Sequence, residues 1–235
     1  MNEGREESDI KIDLDRSVDH VTRDILAEFG IKDIVRMQRI RSTEENIVFK
    51  INTANATYIL KQGPNLLAEK ERMIWLAGKI PAPRLLAWKE VGEQNSLLMS
   101  YIEGDDLASK KLPKEEIPLL LANTLRLIHG IDISDCPYGE KTINAVLIHG
   151  DACLPNFIFA DKTFKGIIDI GKMGVGDRLD DLAAAVWSLN FNYGPELGVP
   201  FLQAYGYQNS TPEESKRLID RYENNWSERF LDKNE

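Results

Sequence analysis

Short runs of Val, Ile, Phe and Tyr, separated by polar turns, dominate the chain between residues 34 and 102. Runs of this length are typical of antiparallel strands joined by tight connections. Before them, apolar residues recur at helical spacing as far as Gly30, which predicts a first helix capped by Ser17. The strands predicted for this part are 34–40, 46–52, 57–62, 85–90 and 96–102, with a helix at 66–78.

After Gly104 the apolar pattern changes to the period of amphipathic helices. Helices are predicted at 113–129, 179–189 and 211–230, and short strands at 145–148, 156–160 and 165–170. The sequence therefore predicts an α+β protein with two lobes. The expected division is a β-rich lobe in residues 1–100, an α-rich lobe in residues 101–235, and a hinge from Ser100 to Gly104.

Composition narrows the possible partners. The 235-residue chain carries a formal net charge of −9, which disfavours nucleic acid and anionic membrane surfaces and suits a cationic substrate. No apolar run approaches the roughly 18 residues of a membrane-spanning helix, and the polar N-terminus lacks the apolar core of a signal peptide. Cys136 and Cys153 form neither a disulfide framework nor a zinc spacing. We therefore expect a cytoplasmic protein with reduced thiols.

The residues best suited to chemistry lie in the segment 148–171. Phosphoryl transfer needs a carboxylate that takes the proton of the acceptor hydroxyl, oxygen ligands for Mg²⁺, and a cation on the phosphates. Asp151 can be the base, while Asn156 and Asp169 can offer oxygens to the metal. Gly171 would let the backbone turn away from that metal. Any one of these residues could instead cap a turn of a β-hairpin, but their combined spacing favours a kinase site.

The β-rich half supplies a candidate cation. Lys61 ends the third predicted strand, and Glu69 lies near the start of the following helix. Kinases contact the α- and β-phosphates with a strand lysine that is held by a helix glutamate. Glu71 competes for the role of Glu69, and a Lys–Glu pair alone is usually a solvated surface pair of little energetic value.

These residues carry a family resemblance. The motif His-Gly-Asp-x-x-x-x-Asn at 149–156, Ile-Asp-Ile-Gly at 168–171 and the sequence 176–183 resemble the aminoglycoside 3′-phosphotransferases. That family belongs to the antibiotic and choline kinases with a protein-kinase-like bilobal fold, and the resemblance covers most of residues 34–207. It implies a kinase that transfers the γ-phosphoryl group of a Mg²⁺-bound nucleotide, ATP or GTP, to a hydroxyl of an aminoglycoside, and thereby gives antibiotic resistance.

The resemblance also implies roles for individual residues. It makes Asp151 the base, Asn156 and Asp169 the Mg²⁺ ligands, and Lys61 with Glu69 the phosphate anchor. The other residues implied to contact the nucleotide are Thr43, Glu44, Glu45 and Asn46 in the loop over the phosphates, with Ser100 and Ile102 at the adenine. His149 and Asp181 would brace the catalytic loop.

The acceptor side departs from the family pattern. A long helical and acidic insertion, which precedes His-Gly-Asp in the family, is reduced here to residues 139–147. Asp180, Asp220 and Glu223 are the carboxylates that could receive a cationic amino-sugar, and the last two share a helix face. We expect weak, salt-sensitive aminoglycoside binding. A kinase of another hydroxylated metabolite and a catalytically weak nucleotide-binding protein remain alternatives.

Overall fold

The computed structural model describes residues 20–42 and 45–231 of the chain. These residues form two compact units. The first contains the described residues up to Ile74 together with Pro83–Tyr101, and the second contains Trp75–Ala82 together with the described residues from Ile102 onward. An antiparallel sheet dominates the first unit and helices dominate the second, so the predicted α+β class is confirmed.

The first unit is built on a five-stranded antiparallel sheet with the strand order β1-β2-β3-β5-β4. The strands and helices predicted for this half are present, within two residues of the predicted ends, and Ser17 lies outside the described residues. The elements are α1 (His20–Glu28), β1 (Ile34–Ser42), β2 (Ile47–Thr53), β3 (Thr57–Gly63), α2 (Leu67–Leu76), β4 (Leu85–Val91) and β5 (Gln94–Ser100).

The core of the first unit fixes the direction of the candidate cation. Leu26 of α1 packs with apolar side chains of the sheet, among them Phe49 and Leu60. Successive side chains of a strand point to opposite faces of the sheet. Because Leu60 faces this core, its neighbour Lys61 is directed to the opposite face.

The second unit contains four longer helices, among which α3 contacts α5 and α4 contacts α6. Its short strands form a three-stranded sheet of order β6-β8-β9 and a two-stranded sheet of β10 with β7. The elements are β6 (Asp105–Asp106), α3 (Ile117–His129), β7 (Val146–Ile148), β8 (Phe157–Ala160), β9 (Thr163–Ile167), β10 (Gly174–Gly176), α4 (Arg178–Tyr193), α5 (Gly198–Tyr205) and α6 (Pro212–Leu231). None of the helices that the structure describes is both long and apolar enough to cross a bilayer.

The segment Trp75–Ala82 belongs to the second unit because of specific contacts. The carbonyl oxygen of Pro81 accepts a hydrogen bond from the backbone N–H of Ile167 at 3.1 Å. The ammonium group of Lys79 pairs with Asp135 at 3.0 Å.

The second unit differs from the predicted elements in several places. Strands β6 and β10 were not predicted, α3 begins at Ile117 rather than at residue 113, and α4 extends to Tyr193, beyond the predicted end at residue 189. The strand predicted for 165–170 ends at Ile167, because a 3-10 turn at Ile170–Lys172 takes the chain out of the sheet. Helix α5 was not predicted, since its sequence begins with Gly198 and contains Pro200, two residues with poor intrinsic helix propensity. Phe201 and Leu202 are fully buried, so packing stabilises this helix where propensity does not.

Candidate active site

A buried carboxylate holds the loop that carries Asp151. Asp181 of α4 is fully buried, and its two oxygens accept hydrogen bonds from the backbone N–H groups of His149 at 2.7 Å and Gly150 at 2.9 Å. Nε2 of His129 lies 3.1 Å from the same carboxylate. Asp151 therefore follows directly after two anchored backbone amides. Asp181 thus holds the loop of residues 149–156, which we call the catalytic loop after the role that the resemblance implies for it.

The glycine of the His-Gly-Asp motif is required by close packing. Gly150 has a φ of 76°, and a Cβ there would lie 2.4 Å from the carbonyl oxygen of Lys172. A side chain at this position would therefore be both strained and blocked. The catalytic loop lies directly against the turn that follows Asp169.

This packing brings an unpredicted cation to the candidate base. Nζ of Lys172 lies 3.6 Å from Oδ2 of Asp151, and the two side chains are 54% and 25% exposed. In the sequence, Lys172 is three residues after the metal-ligand candidate Asp169, and that spacing gives no sign of a contact with Asp151. The structure thus places a positive charge next to the carboxylate.

Backbone and side-chain hydrogen bonds connect the two metal-ligand candidates. The backbone carbonyl of Asn156 accepts a hydrogen bond from the N–H of Ile168 at 3.0 Å, and Nε2 of His149 lies 3.1 Å from the carbonyl oxygen of Ile168. Ile168, which directly precedes Asp169, is therefore held from both sides. Nδ2 of the buried Asn156 donates to the carbonyl of Asp151 at 2.9 Å, which leaves the amide oxygen as the group able to accept a metal.

The backbone turn at the metal-ligand candidate differs from the expectation. Asp169 itself adopts the left-handed conformation, with φ 57° and ψ 49°, and directly precedes the turn Ile170–Lys172. Gly171 lies inside that turn, so the prediction that Gly171 provides the change of direction was wrong. Aspartate is among the few residues other than glycine that adopt this conformation readily.

The donor set fits Mg²⁺. Mg²⁺ prefers oxygen ligands and is commonly held by one or two carboxylates, with water and substrate phosphates completing its coordination. Asn156 and Asp169 offer one amide oxygen and one carboxylate. Among the residues that the structure describes, no group of three or more His, Cys, Asp or Glu side chains could hold a metal ion.

In the first unit, the predicted lysine–glutamate pair is present. Nζ of Lys61 lies 2.6 Å from Oε2 of Glu69, and the side chains are only 13% and 6% exposed. This pair is therefore not the solvated surface pair that was the alternative interpretation. Glu69 fixes the position of the lysine from the first turn of α2.

A glycine outside the predicted phosphate loop shapes that loop. Thr43 and Glu44 lie outside the described residues, whereas Glu45 is exposed and Asn46 is half-buried. A Cβ at Gly63 of β3 would lie 2.0 Å from Oδ1 of Asn46 and 2.6 Å from the carbonyl oxygen of Glu45. The absence of a side chain at Gly63 therefore lets the turn at Glu45 and Asn46 lie directly against β3.

The residues predicted at the adenine have different surroundings. The N–H of Ser100 donates to the carbonyl of Arg84 at 3.0 Å, and its hydroxyl oxygen accepts from the N–H of Arg84 at 2.9 Å. The N–H of Ser100 is therefore used within the first unit. Ile102 is half-buried, and its Cδ1 lies 2.7 Å from the position of a Cβ at Gly166. The adenine contact of Ser100 and Ile102 stays a prediction.

The three predicted acceptor carboxylates are on α4 and α6. Asp180 accepts hydrogen bonds from Nε and Nη2 of Arg221 at 3.1 and 2.7 Å. The same guanidinium group also donates to Asp177 at 3.3 Å, so one positive charge is shared by two carboxylates. Glu223 is exposed and accepts a hydrogen bond from the indole Nε1 of Trp187 at 3.3 Å. Asp220 is exposed on the same helix.

Contacts between the catalytic loop and the two helices were not predicted. Oγ of Ser188 accepts a hydrogen bond from the N–H of Leu154 at 3.0 Å. Sγ of Cys153 lies 3.6 Å from the hydroxyl of Tyr222. Burial and the charge of Asp151 raise the pKa of Cys153 to about 12, so this thiol is neutral at physiological pH. These pairs are 34 and 69 residues apart in the sequence and leave no local signal.

The matched family defines the class of the protein. The model of the phosphotransferase enzyme family matches residues 36–145 and 140–218, and the chain belongs to this family. Among its curated relatives is an aminoglycoside 3′-phosphotransferase of Niallia circulans, which is 30% identical over 60% of this chain and 71% of the relative. A probable aminoglycoside 3′-phosphotransferase of Lactococcus lactis is 27% identical over 75% of this chain and 85% of the relative. The resemblance stated from the motifs is confirmed.

Solved structures of aminoglycoside phosphotransferases share the fold. The aminoglycoside-3′-phosphotransferase of type VIII matches with a TM-score of 0.69 and 21% identity, over 87% of this chain and 100% of that chain. An aminoglycoside phosphotransferase from Streptomyces rimosus was solved in complex with ADP and streptomycin. It matches with a TM-score of 0.68 and 20% identity, over 86% of this chain and 96% of that chain. These similarities confirm the predicted kinase-like fold.

Proposed function

We propose that the protein is a small-molecule kinase that transfers the γ-phosphoryl group of Mg²⁺-ATP or Mg²⁺-GTP to a hydroxyl group of an aminoglycoside. The arrangement of the catalytic loop carries this proposal. Asp181 anchors the two amides before Asp151, and the backbone of Asn156 holds the residue before Asp169. The family membership and the relative solved with ADP and streptomycin support the same chemistry.

Each residue has a definite role in this proposal. Asp151 accepts the proton of the acceptor hydroxyl, whose oxygen attacks the γ-phosphorus while the bond to the β-phosphate breaks. Lys61, positioned by Glu69, binds the phosphates of the nucleotide. Lys172 keeps a positive charge next to Asp151.

The metal and the remaining nucleotide contacts follow from the same residues. Asn156 and Asp169 would hold Mg²⁺, which supplies positive charge to the phosphate oxygens when it is bound. The turn at Glu45 and Asn46 would cover the phosphates, and the segment from Ser100 to Ile102 would contact the adenine.

A phosphotransfer assay tests the proposal. Purified protein is incubated with Mg²⁺, ATP or GTP and a panel of aminoglycosides, and both nucleotide consumption and acceptor phosphorylation are measured. Asp151→Asn should lower kcat by about 10²–10⁴-fold, because a general base is lost. The matched control is Asp135→Asn, since Asp135 is 62% exposed and pairs with Lys79 away from the catalytic loop.

The alternatives give different results in this assay. Phosphorylation of other alcohols but of no aminoglycoside would indicate a kinase of another metabolite. Nucleotide binding without any turnover would indicate a nucleotide-binding protein. Full activity of Asp151→Asn on an aminoglycoside would refute the assignment of the base.

A further inference from the structure

The thiol of Cys153 is at the centre of a small polar cluster beside the candidate base. Its Sγ lies 3.6 Å from the hydroxyl oxygen of Tyr222 on α6, and the side chain also interacts with Ser188 of α4 and with Asp151. Cys153 is two residues after Asp151, and its backbone N–H donates to the carbonyl oxygen of Asp151 at 2.8 Å. One residue of the catalytic loop is therefore in contact with both helices and with the base.

The partners of the thiol are held by contacts of their own. The ring of Tyr222 packs against Trp187 with ring centroids 4.9 Å apart, which restrains the ring that carries the hydroxyl. Oγ of the buried Ser188 accepts a hydrogen bond from the N–H of Leu154 at 3.0 Å. The cluster is thus part of the packing of α4 and α6 against the catalytic loop.

The cluster lies next to the part of Asp151 that the loop backbone leaves free. The carbonyl oxygen of Asp151 accepts hydrogen bonds from the N–H of Cys153 and, at 2.9 Å, from Nδ2 of Asn156, so its main chain is fixed. The carboxylate can still rotate about the side-chain torsions. Nζ of Lys172 lies 3.6 Å from one of its oxygens. The thiol is a second neighbour, able to donate one hydrogen bond and to accept another.

The thiol suits this position because it is neutral. Burial, followed by the charge of Asp151, raises the pKa of Cys153 to about 12, and a hydrogen bond to Asp151 acts in the same direction. A second anion here would repel the carboxylate, whereas a protonated thiol can donate to it. The sulfur can then accept a hydrogen bond from the hydroxyl of Tyr222.

We propose that Cys153 and Tyr222 are positioning residues that hold the carboxylate of Asp151 in the orientation that takes the proton of the acceptor. This inference rests on the proposed function and extends the machinery from the catalytic loop to α6. Tyr222 is 69 residues from Cys153 in the sequence, so the orientation of the base depends on a distant helix.

Three substitutions test the inference. Cys153→Ala removes the thiol and should lower kcat by about tenfold, because a small displacement of a reacting group is costly. Tyr222→Phe removes only the hydroxyl and should lower kcat by about threefold for the same reason. The nucleotide KM should stay within about twofold in both variants, since neither residue belongs to the phosphate anchor. Cys153→Ser keeps a donor and an acceptor in place, and its kcat should be within about threefold of the wild-type value.

The two residues should also act through one contact. In the Cys153→Ala background, Tyr222→Phe should lower kcat no further, so the double-mutant cycle should be non-additive. The matched controls are Cys136→Ala, which removes the other thiol of the chain, and Tyr207→Phe, which removes a hydroxyl bonded to Glu214 in the first turn of α6. Both controls should leave kcat unchanged. Urea unfolding of every variant separates a loss of kcat from a loss of folded protein.

Measuring transfer to other alcohols and to water separates failure of this inference from failure of the proposed function. If aminoglycosides are phosphorylated, an unchanged kcat in Cys153→Ala and Tyr222→Phe would overturn the inference and leave the function standing. A kcat of Cys153→Ser as low as that of Cys153→Ala, or a strictly additive cycle, would do the same. If aminoglycosides are not phosphorylated, the expected pattern in transfer to another alcohol or to water would support the inference and refute the function. Its absence there would overturn both.

Discussion

Removing the charge of Asp181 should loosen the catalytic loop from inside the protein. Asp181→Asn keeps the shape of the side chain but replaces one acceptor oxygen with an NH₂ group. The carboxylate now accepts from the N–H groups of His149 and Gly150, and Nε2 of His129 lies against it. Nδ1 of His129 lies 2.7 Å from the hydroxyl of Tyr205, and burial raises the pKa of Tyr205. A carboxylate can only accept hydrogen bonds, so Nε2 of His129 carries the proton that faces Asp181.

The magnitude follows from these contacts. Every group around the carboxylate is a donor, so the new NH₂ must face at least one N–H without an acceptor. A hydrogen bond to a charged group contributes about 1.5–3 kcal/mol, and a buried donor without a partner costs about 1–3 kcal/mol. Allowing for partial relaxation, we expect the free energy of unfolding to fall by about 2–4 kcal/mol. Displacement of Asp151 should lower kcat by about tenfold or more.

Urea unfolding followed by circular dichroism measures the first effect, and the phosphotransfer assay measures the second. Asp180→Asn is the matched control for the unfolding measurement, because Asp180 is the preceding residue of α4 and forms a half-exposed ion pair with Arg221. Such a pair contributes at most about 1 kcal/mol. A free energy of unfolding of Asp181→Asn within about 0.5 kcal/mol of the wild-type value would refute the bracing role. Surface substitutions usually change this free energy by no more than that amount.

Four further substitutions test the nucleotide side. Gly63→Ala should raise the nucleotide KM several-fold, because its Cβ would displace the turn at Asn46; an unchanged KM would show that this turn does not contact the nucleotide. Lys61→Ala should also raise the nucleotide KM or lower kcat, Glu69→Ala should do so less, and a double-mutant cycle should show coupling of about 0.5–3 kcal/mol rather than additivity. Asp169→Ala should shift the Mg²⁺ midpoint of activity to higher concentration, since a methyl group cannot bind the metal; an unmoved midpoint would remove Asp169 from the metal site.

Much of the fold could be predicted because the signals are local. The strands of the first unit alternate with polar turns, and each therefore appears in the sequence as a separate short run. The helix α5 could not be predicted, because buried contacts of Phe201 and Leu202 outweigh the poor helix propensity of Gly198 and Pro200. The division of the chain into lobes at residue 100 stays a prediction.

The candidate site was predictable to the extent that its residues are close in sequence. The motif at 149–156 places Asp151 and Asn156 in one short loop, and the side chain of Asn156 indeed bonds to the backbone of Asp151. The proximity of Lys172 to the base depends instead on Gly150, whose lack of a side chain lets the following turn approach. Neither helix or strand propensity nor the spacing of apolar residues indicates that these two segments lie against each other. The lysine beside Asp151 was therefore missed.

The reaction and the acceptor depend on different kinds of structural constraint. Substitutions in the catalytic loop are restricted by backbone hydrogen bonds and close backbone packing, since Asp181 needs two amides and Gly150 has no room for a Cβ. The exposed faces of α4 and α6 have no such requirement, so their side chains can change while the loop stays intact. A motif can therefore identify the phosphoryl-transfer chemistry from sequence, whereas recognition of the acceptor has to be derived from what those faces present. Here they present the exposed ring of Phe191 and two carboxylates, Asp177 and Asp180, that share the guanidinium group of Arg221.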